Sequence, residues 1–108
     1  MYKIIYIFEI VAWLINKVNC EALKSFNSIL KSLVHKRQSW LCVGLDISPE
    51  ALGSDSLIDL KKHTFKVIDA TKEYAVAYKP NFAFFERWGA KGFSWLEETV
   101  NYIGDDYI

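Results

Sequence analysis

Leu41-Cys42-Val43-Gly44-Leu45-Asp46 and Ala77-Tyr78-Lys79-Pro80-Asn81-Phe82-Ala83-Phe84-Phe85-Glu86 are the stretches that decide the fold. Each opens as a short apolar run and ends abruptly in a charge. A nearly continuous apolar run is the pattern of a parallel strand covered on both faces. A charge at the C-terminal end of such a strand falls on the rim where an α/β barrel carries its active-site loops. One strand ends in an acid, Asp46, and the next in a base, Lys79, 33 positions later. That separation accommodates one strand–helix–strand unit of about 30 residues or more.

Around these strands the pattern is helical. From Glu21 to Arg37 the apolar residues Leu23, Phe26, Leu30, Leu33 and Val34 recur at three and four, which puts them on one core-facing side. His35-Lys36-Arg37 then reads as a solvated helix end suited to the helix dipole. A strand is predicted over about 40–45. Pro49, Gly53 and Ser54 mark a loop, and Asp55 or Ser56 suits the N-cap of a helix running to about Lys72. Leu57, Leu60, Thr64, Ile68 and Thr71 share one face of that helix, and His63 lies beside it as a structural residue with no second ligand at metal spacing. The second strand spans about 75–79, and Pro80 ends it. A short apolar helical turn follows from Phe82 to Trp88, with Phe82, Phe84 and Phe85 read as core and Asn81 as its cap ahead of any substrate contact. A helix from Lys91 to Ile103 points Leu96, Thr99, Val100 and Ile103 inward, and Tyr107-Ile108 begins a third strand.

Composition narrows the class. The chain has 108 residues, 52% of them hydrophobic and 16% aromatic, which excludes a disordered chain. A closed (β/α)8 barrel needs about 250 residues, so the expectation is a partial one: an N-terminal helix, two βα units and the start of strand three. Thirteen basic and thirteen acidic residues give no net charge, which argues against a nucleic-acid partner recognised by a basic field. Cys20 and Cys42 form no C-x-x-C; Cys42, inside the first strand, reads as a small buried hydrophobe in a reducing compartment. Residues 1–20 read as an atypical apolar extension. Their apolar stretch of about 12 residues falls short of the roughly 20 of a membrane span, and no small-residue cleavage site follows it.

The two stretches, with Gln38 to Asp46 leading into the first and Val67-Ile68-Asp69-Ala70-Thr71 between them, resemble orotidine 5'-phosphate decarboxylase in its larger bacterial form. The similarity runs from about Phe26 to the last residue, making residues 21–108 the N-terminal part of such a barrel. The family's Asp-x-Lys-x-x-Asp motif on the third strand is not present. The resemblance implies decarboxylation of orotidine 5'-phosphate to UMP in pyrimidine biosynthesis, in the cytoplasm, by a homodimer using no metal and no organic cofactor. It further implies that Asp46 binds the ribose. Lys79 lies at the ribose as a catalytic member of an alternating Lys–Asp network, whose other members come from the third strand and the dimer partner. The fragment alone is expected to be inactive. Asn81 and Glu86 match family positions without a derived role.

Taken without the resemblance, the chemistry is less specific. Neighbouring strands sit about 4.8 Å apart, so the heads of Asp46 and Lys79 are expected within one water of each other. A carboxylate there accepts from sugar hydroxyls and an ammonium donates to hydroxyls or a carboxylate; a structural salt bridge is the plain alternative. Two further functions stay open: a sibling sugar-phosphate barrel enzyme, and a non-enzymatic α/β protein associating through open sheet edges.

Overall fold

A computed structural model describes residues 25–108. The chain divides into two compact units, Met1–Lys31 and Ser32–Ile108, and of the first only Ser25–Lys31 is described. The expectations for residues 1–20, for the start of the first helix and for Cys20 lie outside the described residues.

The elements, in order, are α1 (Phe26–Arg37), β1 (Leu41–Leu45), α2 (Pro49–Leu52), α3 (Leu57–Thr71), β2 (Ala75–Pro80), α4 (Phe82–Glu86) and α5 (Ala90–Ile103). No residue of α1 is fully buried: Leu30, Leu33 and Val34, on the face read from sequence, are half-buried, and Phe26 is 62% exposed. The helix ends at Gln38, whose φ of 51° is left-handed. Its side-chain amide donates to the His35 carbonyl at 2.7 Å, and Ser39 N–H reaches the Val34 carbonyl at 3.4 Å, closing a Schellman-type end.

β1 and β2 pair in parallel, with Val43 opposite Tyr78, Gly44 opposite Lys79 and Leu45 opposite Pro80. The register shifts between Leu41 and Cys42. At that irregularity the successive residues Ala75 and Val76 are both buried, although a regular strand would send them to opposite faces. β2 also takes up the end of the chain: Ile108 N–H donates to the Val76 carbonyl at 3.1 Å, and Tyr78 N–H donates to the Ile108 carbonyl at 2.8 Å.

Two apolar clusters hold the 32–108 unit together. Leu45, Ile68, Ala75 and Tyr78 form one beneath the sheet, with Val43, Phe65, Val67, Ile103 and Tyr107 packed on it. Leu60, Phe85 and Trp95 form the other, ringed by Ile47, Leu52, Leu57, Phe84, Trp88 and Leu96. The predicted face of α3 is confirmed by buried Leu60, Thr64 and Ile68. Each fully buried large apolar side chain contributes about 1.5–3 kcal/mol relative to exposure, so Trp95 and Phe85, whose rings meet at 4.3 Å, anchor α5 to α4. Val100, expected inward, is 52% exposed; Trp95 holds the inner face instead.

Among the described residues, helices cover one face of the sheet only. Along β1, Val43 and Leu45 turn toward the core while Cys42 and Gly44 are exposed, a period-two alternation. Two expectations therefore need correction. β1 is not buried on both faces, and Cys42 is an exposed free thiol rather than a core residue. An apolar run that looks uniform in sequence carries small residues on the uncovered side. No described helix is long and apolar enough to cross a membrane.

Candidate active site at the strand ends

Asp46 follows the last residue of β1, and Lys79 is the penultimate residue of β2. Because the strands are parallel, both stand at the same end of the sheet. Tyr78 points into the core, so Lys79, its neighbour, points to the open face. Gly44, the register partner of Lys79, opens onto that face too. The Oδ2 of Asp46 lies 3.8 Å from where a Cβ on Gly44 would be, so the carboxylate sits over the glycine. Both charged residues are exposed. Among the described residues no ion pair within 4.0 Å joins them, so the structural salt bridge is not formed.

The chain after each charge is built alike. Two residues past Asp46, Ser48 caps α2 by accepting from Ala51 N–H at 3.1 Å. Two residues past Lys79, Asn81 caps α4 by accepting from Ala83 N–H at 3.3 Å, the capping role read from sequence. A bidentate ion pair ties the two capped turns together: Arg87 donates to Glu50 at 3.2 and 3.0 Å. The Arg87 guanidinium holds the Glu50 carboxyl below its usual range, and Glu50 raises Arg87 in turn. Ile47, next to Asp46, and Phe84, five residues past Lys79, both pack on the Leu60–Phe85–Trp95 cluster. This ion pair was missed in the sequence, where Glu50 and Arg87 carry no signal linking positions 37 apart.

Other sequence candidates fall elsewhere. His63 lines a shallow cleft with Leu52, Ser54, Asp59, Lys62 and Lys66, which neither Asp46 nor Lys79 borders. No group of three potential metal ligands occurs among the described residues. Glu86 is exposed at the end of α4. Arg37 departs from the solvated reading of its helix end: it is partly buried and bonded to Lys72, Asp106 and Tyr107, whereas His35 and Lys36 are exposed.

Fold and site together define an α/β protein with a parallel β–α–β unit that presents an acid and a base on one rim. Comparison with known proteins makes the resemblance specific. Orotidine 5'-phosphate decarboxylase of Bacteroides fragilis (strain YCH46) is 42% identical over 78 residues, covering 68% of this chain and 28% of its own length. The enzyme of the same name from Parabacteroides distasonis is 45% identical over 80 residues, with the same two coverages. A crystal structure from Toxoplasma gondii, provisionally named an orotidine-monophosphate-decarboxylase, superposes with a TM-score of 0.69 at 33% identity, over 78% of this chain and 29% of that one. No family model matches the chain. The similarity to orotidine 5'-phosphate decarboxylases is thus shown in sequence and in structure, and the chain spans a little over a quarter of the length of these relatives.

Proposed function

We propose that residues 21–108 are the first part of an orotidine 5'-phosphate decarboxylase barrel, holding two βα units and the entry to the third strand, with residues 1–20 an extension to it. The observation that carries this reading is the parallel register that sets Asp46 and Lys79 on one rim over Gly44. In this reading Asp46 accepts hydrogen bonds from the ribose hydroxyls of orotidine 5'-phosphate. Lys79 donates to the same sugar and balances the charge of neighbouring acids. The uncovered face of the sheet becomes the barrel interior. The remaining carboxylates, the proton-donating lysine and the phosphate loops come from the rest of the barrel, so the reaction releases CO2 and yields UMP only in the whole enzyme, a homodimer in the cytoplasm. No metal or organic cofactor takes part, and neither nucleic acid nor membrane is a partner. The relatives' shared name favours this reading over a sibling sugar-phosphate enzyme.

The test uses UMP formation. The purified chain is expected to form none above an Asp46→Ala control, since removing one member of a coupled catalytic set costs nearly as much as removing all of them. Joined to the C-terminal remainder of the Bacteroides fragilis relative, it is expected to form UMP. Asp46→Ala or Lys79→Ala in that chimera should cut kcat/KM by about 100-fold or more, as charge-assisted bonds to the substrate are lost. A folded chimera without activity would overturn the reading.

A further inference from the structure

Arg37 ends α1 and reaches the turn that follows α5. Its Nη1 donates to the Lys72 carbonyl at 2.6 Å and to Tyr107 Oη at 3.4 Å; its Nη2 donates to the Asp106 carbonyl at 3.4 Å. The guanidinium carbon lies 4.3 Å from the centre of the Tyr107 ring. Tyr107 in turn donates to the Lys72 carbonyl at 2.7 Å and meets the Tyr78 ring edge-on at 5.2 Å. The next residue, Ile108, makes the two backbone bonds to β2.

Those two bonds, Ile108 N–H to Val76 and Tyr78 N–H to Ile108, form a parallel bridge centred on Ala77. Ala77 is opposite Cys42, so Ile108 stands level with Ala77 in β2 and with Cys42 near the start of β1. A chain that runs on in this register comes level with Lys79 two residues later. Complementing the helix dipole needs none of this, because His35 and Lys36 already stand in the last turn. A fork across two carbonyls with a stacked ring is what a planar guanidinium supplies and an ammonium does not.

We infer that Arg37 is a positioning residue: it fixes the turn after α5 so that the chain beyond Tyr107 joins the edge of β2 in the parallel register that carries it alongside Lys79. In one respect this rests on the proposed function, namely that the strand so placed bears the reacting lysine and acids. Arg37 has no bond to Asp46 or Lys79 and acts from the start of β2, beyond the far end of the strand from the site. Its effect passes through register, since a slip of one residue would turn every side chain of that strand to the other face.

Amide hydrogen exchange, read residue by residue on the labelled chain without substrate, tests it. Arg37→Ala should speed exchange at Ile108 and Tyr78 by about tenfold or more, while Thr64 in α3 and Thr99 in α5 stay within about twofold. Tyr107→Phe, which keeps the ring and removes the hydroxyl, should give the same local pattern at smaller size. Arg37→Lys should recover less than half of the lost protection. Unchanged exchange at both amides would overturn the inference, and so would equal acceleration at every amide, which would make Arg37 a general stabiliser. Because no substrate is present, either result stands apart from the outcome of the UMP assay.

Discussion

A single missing side chain decides the junction of the last two helices. Gly92 is buried in α5, and a Cβ there would run into the Phe85 carbonyl and crowd Trp88. Helix propensity alone favours Ala over Gly by about 1 kcal/mol, but the obstacle is backbone, which cannot swing aside. Gly92→Ala should therefore destabilise the chain by about 1–3 kcal/mol, the usual range for overpacking, read as a lower urea midpoint at unchanged slope. Midpoints that rise would show that α4 moves away freely. Asp46 and Lys79 are the opposite case. Both are exposed and make no ion pair among the described residues, so Asp46→Ala and Lys79→Ala should leave the Tm of the chain within about 3 °C. A large drop in either would give these residues a structural duty and weaken the reading of the site.

Among the elements, surface ion pairs tie Glu50 of α2 to Arg87 after α4 and Lys61 of α3 to Glu98 of α5, each 37 positions apart, while Asp69–Lys72 is a local pair three residues apart. Glu50 is held low by Arg87, Asp69 by Lys72 and then by Tyr102, and Glu98 by Lys61. A carboxyl whose folded pKa lies below its unfolded value stabilises the fold above that unfolded value, and the contribution is lost as pH falls through the folded one. The ordinary values are 4.5, 3.8 and 4.5, so thermal stability should hold from neutral pH down to about 4.5 and fall below it. Glu50→Gln with Asp69→Asn and Glu98→Gln should flatten that acid limb, and salt should do so in part, since these pairs are solvent-screened. Lys72 is raised by Asp69, and burial raises Tyr78. Their contributions are whole below the ordinary values of 10.5 and 10.0 and are lost as pH climbs through the higher folded ones. An acid limb unchanged in the triple variant would show that other carboxylates govern it. Most elements were legible in sequence because each signal was local: the α3 face at three-and-four spacing, the Asn81 cap, Pro80 at the strand end. The one turn of α2 over Pro49–Leu52 reads as loop in sequence because Pro49, Gly53 and Ser54 bound it closely. The Glu50–Arg87 tie and the Arg37 fork were not legible, since ion pairs between solvated charges leave no periodicity. Trp95 was passed over for Val100 because both suit an apolar stripe in α5, and only the position of Phe85 decides between them.

For the molecule as a whole, the misread feature is the second face of the sheet. The sequence pattern of β1 describes a strand covered on both sides, whereas the described residues supply helices on one side only. Cys42 and Gly44 are small and exposed, and no described helix lies over them. Sequence carries the environment for which a strand is suited; the structure carries the environment it has. The difference is measurable at Cys42. In a Cys20→Ser background its thiol should react with a soluble disulfide reagent at close to the rate of an unfolded control, because it is exposed. Cys42→Ser should shift Tm by no more than about 3 °C. In the chimera with the remainder of the Bacteroides fragilis relative, the same thiol should become protected at least about 100-fold, as closure of the sheet puts it behind a barrier of local opening. Fast labelling in a folded, active chimera would mean that β1 keeps its open face there, and the barrel interior would have to be sought on the other side of the strand.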